Sequence, residues 1–305
     1  MRLTCLLAAL LIAVAPPAVA QQRADDQADV SVAAPWFQSG QGPVVLIDEG
    51  HANFHTLDGR YAPFAAVLAN DGFQVRPHQG PLTAEGLADA RVLVIANALH
   101  PRNAEDWSLP TPDAFSEEEV AVLRRWVEEG GSLWLMADHM PFPGAVERLA
   151  GAFGVTFSNG FVVPTQAQPD PPDLFSRDAG TLGDHPITRG FRSGEQIDQI
   201  GTFTGSGFRA PDAHVLIRFP DGAFQSLEPS EAWQFSDTTP KRSMDGWLQG
   251  ATMQVGRGRV AVFGEAAMFT AQRAGGGFMG FASPEVPQNK QFLLNVARWL
   301  AGVDG

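Results

Sequence analysis

Cysteine is almost absent from this chain. The single one, Cys5, stands inside the first twenty residues. With that segment removed, no disulfide can form, no thiolate can act as a nucleophile, and no cysteine can hold a metal. Tyrosine is nearly as scarce, one residue against 21 phenylalanines and seven tryptophans. Positive charge is thin: 21 Lys and Arg, forming no basic run, face 34 Asp and Glu, for a formal charge of -13. That balance favours solubility and argues against nucleic acid or anionic lipid as a partner. No apolar stretch after residue 20 approaches the ~20 residues of a membrane span, so no transmembrane segment is expected after leader removal. Three catalytic signatures are missing as well. No Gly-x-Ser-x-Gly elbow occurs. His51 and His55 have metalloprotease spacing, but Ala52-Asn53-Phe54 lies between them without the glutamate. The glycine-rich Gly275–Gly280 lacks the lysine of a phosphate loop, and reads instead as a flap near a cleft.

What is present begins with a leader. Arg2, the apolar run Cys5–Ala15 and the small-x-small Ala18-Val-Ala20 read as a secretory signal over residues 1–20. An uncleaved anchor is the alternative. The expected location is secreted or periplasmic. Residues 21–42 are polar and aperiodic and read as a flexible lead. Residues 43–302 then read as one domain.

Within that domain, apolar β-branched runs alternate with helical spacing. Val44–Ile47, Phe73–Arg76, Val92–Ala98 and Leu133–Ala137 are predicted strands of a sheet covered on both faces. Tyr61–Asn70, Leu82–Ala88, a helix after the capping box Ser116-Glu-Glu-Glu119, and Ala145–Phe153 are predicted helices between and after them. This β-α alternation implies a mostly parallel sheet with helices on both faces. The second half is elaborated. Residues 164–195 read as a long loop. Ala213–Phe219, Ala232–Phe235, Ala251–Val255 and Val260–Phe263 read as strands, and Gln288–Leu300 as the closing helix.

The phrases Val44–His51, Val92–Ala98, Gly130–His139, His185-Pro-Ile-Thr-Arg-Gly190, Gly258–Glu265 and Asn289–Leu300 are similar to the class I glutamine-amidotransferase-like superfamily. The style is nearest its secreted, non-amidotransferase branches. The resemblance implies a flavodoxin-like α/β fold with an elaborated second half. It does not carry the amidotransferase reaction. Where that family places its nucleophilic cysteine, the turn after Leu133–Ala137 offers Asp138-His139-Met140.

In an open α/β sheet, ligands bind beyond the carboxyl ends of the strands. Besides His100 beyond Val92–Ala98, three strand ends carry titratable residues. The first supplies Asp48-Glu49-Gly50-His51 with Asn53 and His55, the second Asp138-His139, and the third Gly264-Glu265. A flavodoxin-like order puts the first two strands on either side of Val92–Ala98. His51 and His139 are then expected to meet across the gap, with Asn97 between them as a donor. On this reading His51, His55, Asp138 and His139 hold a divalent metal such as zinc. Alternatively, Glu49, His51, Asp138, His139 and Glu265 form a metal-free acid–base set. Asn97, His100, Trp107 and Phe142 are the expected substrate contacts, and Phe54 and Phe278 join Trp107 and Phe142 as a stacking surface at the mouth. The competing reading of the same residues makes the acids helix caps and the histidines backbone-bonded core residues. His185 reads as a structural turn, and His78 and His214 as surface or strand residues. Two functions follow as expectations: a hydrolase, metal-assisted or not, and a non-catalytic module binding a carbohydrate or other small envelope ligand.

Overall fold

The computed structural model describes residues 22–166 and 172–304. The expected leader, residues 1–20, lies outside the described residues. The central sheet has nine strands: β1 (Val44–Asp48), β2 (Gln74–His78), β3 (Val92–Ala96), β4 (Ser132–Met136), β5 (Thr156–Phe157), β6 (Phe208–Arg209), β7 (His214–Arg218), β8 (Leu248–Val255) and β9 (Gly258–Phe263). The order β2-β1-β3-β4-β9 is parallel throughout. This is the flavodoxin-like arrangement, with β3 between β1 and β4 as the sequence implied. The sheet then continues antiparallel through β8 to β6 and β5, and β7 also pairs with β8.

Strand parity divides the core. Val45 and Ile47 of β1, Val92, Val94 and Ala96 of β3, and Trp134 and Met136 of β4 pack on one face. They meet helices α1 (Ala62–Asn70) and α3 (Asn289–Leu300) through Phe64, Val67, Leu68, Phe292, Leu293 and Val296. Leu46, Leu93, Ile95, Leu133 and Leu135 point to the other face, against Val120, Leu123 and Val127 of α2 (Glu117–Glu128). The strands are fully apolar because both faces are covered. The predicted capping box of α2 is present. Ser116 Oγ accepts from the Glu119 N–H, and the Glu119 carboxylate accepts from the Ser116 N–H.

Several expectations need correction. Residues 22–42 are not a loose lead. Arg23–Ala24 pairs with a hairpin made by β10 (Ala271–Ala274) and β11 (Gly277–Gly280). Asp71 accepts from the Trp36 N–H at 2.8 Å, and Lys290 pairs with Asp29. Polar composition hid these specific contacts. Leu82–Ala88 forms turns and no helix, with Thr83 Oγ1 accepting from the Gly86 N–H at 3.0 Å. Ala232–Phe235 is a turn and not a strand, because Trp233 adopts a left-handed φ of 66°. The long loop of the second half contains the strand Asp173–Ser176, paired with Gln199–Thr202, and a short helix Pro186–Arg189.

A buried ion cluster ties these parts together. Arg298, on α3, donates to both oxygens of Asp71 at 2.7 and 2.8 Å and to Glu195 at 2.7 Å. Asp71 follows α1 and also holds the Trp36 amide, so one guanidinium joins two helices, the N-terminal segment and the second-half loop. Removing one partner of such a cluster leaves a buried charge unpaired. Arg298→Leu is therefore expected to cost roughly 3–5 kcal/mol, measured by chemical denaturation. A loss below about 1 kcal/mol contradicts this role.

Candidate functional site

Parallel register brings two carboxyls side by side. Met136 of β4 pairs with Phe263 of β9. Asp138 and Glu265 each stand two residues further on, so alternation aims both toward the α1/α3 side of neighbouring strands about 4.8 Å apart. Both are buried. Asp138 accepts from the Ala266 N–H and, at 2.8 Å, from Asn97 Nδ2. Glu265 accepts from the Ala267 and Met268 N–H groups at 2.8 and 2.7 Å. Burial pushes the Asp138 carboxyl up to about 7, against the pull of its Asn97 and Ala266 bonds. Burial, then the Asp138 charge, pushes Glu265 well above the usual carboxylate range. Two adjacent buried carboxyls cannot both ionise cheaply, so near neutrality the pair retains a proton.

Asn97 fixes the Asp138 side. Its backbone is left-handed, φ 55°, a conformation asparagine tolerates better than most residues. Its Oδ1 accepts from the Asp138 N–H at 2.9 Å, which leaves Nδ2 to donate to Asp138 and, at 3.1 Å, to His55 Nδ1. His55 Nδ1 is therefore the acceptor and Nε2 carries the proton. The Gln272 amide lies 3.1 Å from that Nε2. Turning Gln272 Oε1 toward it supplies the acceptor the ring needs. Burial drives the His55 pKa down to about 3, so the ring is neutral. Beneath the carboxyls, Tyr61 donates to the Ala266 carbonyl at 2.8 Å.

His139 stands at the cavity wall. Its Nδ1 donates to the Met140 carbonyl at 2.7 Å, and burial lowers its pKa to about 4. The neutral ring stacks on Phe161, with centroids 4.4 Å apart, and meets the edge of Trp233 at 4.8 Å. Its Nε2 is an acceptor that bonds no described residue. Phe54, Trp107 and Phe142 contact one another at 5.3–5.6 Å and continue the aromatic wall. Together with Asp138 and Glu265 they line a cavity of about 480 Å³, joined by Gln22, Arg60, Thr204, Ala274 and Met279.

The residues expected at the site therefore separate. Asp138, His139, Glu265, Trp107 and Phe142 line the cavity. His51 does not meet His139. Its Nδ1 bonds Asp48 at 2.9 Å and its Nε2 bonds Glu119 at 3.0 Å, which ties the β1 loop to α2. Burial lowers its pKa, but the two carboxylates outweigh that and raise it above the ordinary histidine value. Glu49 accepts from the Leu57 N–H and from Gln79, and organises the same loop. His100 caps a short 3-10 helix by accepting from the Arg102 N–H. Asn97 is wholly buried and positions its neighbours. Phe278 lies outside the wall, against Arg273, while its neighbour Met279 lines the cavity.

The metal set His51, His55, Asp138 and His139 is not assembled, because the ring nitrogens of His51 and His55 face other partners. Among the described residues no group of three His, Cys, Asp or Glu is placed to hold a metal. Sequence reasoning missed Gln22, Arg60, Thr204 and Trp233. Thr204 and Trp233 share an unusual left-handed backbone, with φ of 87° and 66°. Such conformations concentrate at functional sites.

No protein-family model matches the chain, and no curated protein matches its sequence. Solved structures do match. The mmIFT52 N-terminal domain is similar over 86% of this chain and 99% of its own, with a TM-score of 0.58 at 16% identity. A putative ThuA-like protein from Bacteroides uniformis aligns with 88% of this chain and 95% of its own, with a TM-score of 0.45 at 12% identity. An exo-beta-1,4-mannosidase from an Opitutaceae bacterium aligns with 87% of this chain but 37% of its own, with a TM-score of 0.42 at 13% identity. The first likeness is one of fold, and none of the three bears on activity.

The raised carboxyl has a signed consequence. From pH about 4 to 7 the folded protein keeps a proton at Asp138 that the unfolded chain has released, so this group's contribution to stability falls as pH rises through that window. Asp138→Asn removes the effect. Its stability relative to the parent should improve between pH 5 and 8 by on the order of a few kcal/mol, read by denaturation at both pH values. A difference independent of pH contradicts the assignment.

Proposed function

We propose that the protein is a metal-independent hydrolase of a small carbohydrate-like ligand, with Asp138 and Glu265 as its acid–base pair. The observation that carries this reading is the pair of buried carboxyls, Asp138 and Glu265, brought side by side by strand register and lining an aromatic-walled cavity of about 480 Å³. Volume and wall suit one small ring-shaped ligand. Phe54, Trp107, Phe142 and Trp233 offer faces for stacking, and neutral His139 Nε2 accepts a bond from a ligand hydroxyl. A pair holding one proton contains both an acid and a base at neutral pH. One carboxyl gives its proton to the leaving oxygen, while the other takes a proton from the attacking water. In the same reading the chain is an exported member of the class I glutamine-amidotransferase-like superfamily that works without a cysteine. The order β2-β1-β3-β4-β9 supports that placement.

One observation favours the alternative of a non-catalytic binding module. Every oxygen of Asp138 and Glu265 already accepts a bond from the protein. A panel of aryl glycosides and short oligosaccharides, followed by tryptophan fluorescence and product release, separates the two. The hydrolase reading expects turnover of at least one compound, reduced by at least about 10²-fold in Asp138→Asn or Glu265→Gln. Quenching without turnover favours the binding module. Neither quenching nor turnover contradicts both.

A further inference from the structure

Arg60 is the only Lys or Arg among the residues that line the cavity. Its guanidinium is held rigidly. Nε donates to the Gln22 carbonyl at 3.0 Å and Nη1 to the Phe54 carbonyl at 3.1 Å. The group lies over the Phe54 ring, 3.7 Å from its centroid. The Thr270 hydroxyl donates to the Arg60 carbonyl at 2.9 Å and fixes the backbone beneath. Nη2 bonds no described residue, and Arg60 forms no ion pair with a described carboxylate.

A half-buried cation without a counter-ion is unfavourable unless something completes it. Here the chain supplies two carbonyls and an aromatic ring, leaves Nη2 without a described partner, and places the residue in the cavity lining. Arginine with a free N–H edge is suited to a carboxylate, sulfate or phosphate group. Asp138 and Glu265 line the same cavity and are not bonded to it, so Arg60 and the carboxyl pair are available to different groups of one ligand.

We infer that the ligand is anionic, and that Arg60 receives its negatively charged group at the cavity wall while the uncharged ring lies against the aromatic residues. This rests on the carbohydrate reading for the identity of the ring but not for the charge. Gln22 and Phe54 are positioning residues here, since their carbonyls orient the guanidinium. An acidic sugar of the uronate type combines both features.

The test titrates full-length protein, after leader removal, with matched pairs: glucose against glucuronate, galactose against galacturonate, and benzamide against benzoate. Thermal shift and calorimetry give the affinities. At least one acidic member is expected to bind roughly tenfold or more tightly than its neutral partner. Arg60→Gln should abolish that ratio, and Arg60→Lys should restore part of it. Circular dichroism and a cooperative thermal transition of free Arg60→Gln confirm that the variant folds. Preference for benzoate without any sugar binding supports the anion site and contradicts the carbohydrate reading. Sugar binding with equal affinity for acidic and neutral members overturns the anion site and leaves the carbohydrate reading standing. Absence of any acidic preference across all three pairs overturns the inference.

Discussion

Two buried carboxyls forced together set the terms for the rest of this structure. Backbone register makes the encounter unavoidable, because Met136 and Phe263 pair across β4 and β9 and the chain carries Asp138 and Glu265 two residues beyond each. Their desolvation is unfavourable, and the surroundings answer it with donors. The turn after β9 offers three successive backbone N–H groups, from Ala266, Ala267 and Met268, to the two side chains. Asn97 adds a fourth donor from the end of β3. These bonds hold the geometry but do not restore ordinary acidity, so the pair keeps a proton near neutrality.

The same constraint reaches outward. Asn97 must take a left-handed backbone to serve Asp138, and in doing so fixes the tautomer of His55. His55 in turn meets Gln272 of the β10–β11 hairpin, whose Ala274 and Met279 line the cavity. The hairpin is braced by Arg23–Ala24, so the N-terminal segment, the flap and the acidic floor form one connected wall. A half-buried Arg60 beside Gln22 is the one Lys or Arg among the residues that line the cavity.

Much of this was legible in the sequence, for identifiable reasons. Continuous β-branched runs marked the buried parallel strands, and the acids that interrupted them fell at strand ends, which located Asp138, His139 and Glu265. The loop after β1 misled because parity is lost at a turn. Asp48 and His51 turn toward α2, where Glu119 completes their cluster, and a capping-box glutamate gives no sign of that second partner. His55, four residues later, reaches the centre instead. Arg60, Thr204 and Trp233 come from separate segments with no shared local pattern, so only tertiary folding joins them. Composition reports only polarity and hides the contacts of the N-terminal lead, which are specific: a tryptophan amide on Asp71 and a lysine on Asp29.

The central claim is that the buried Asp138–Glu265 pair retains a proton near neutrality in the folded protein. Infrared spectroscopy of the carboxyl stretch, with pH titration of the parent and of Asp138→Asn and Glu265→Gln, tests it directly. The account predicts a protonated carboxyl that persists above pH 5, disappears from the Asp138 side near pH 7, and is altered by either substitution. A parent with every carboxyl ionised by pH 5 contradicts it.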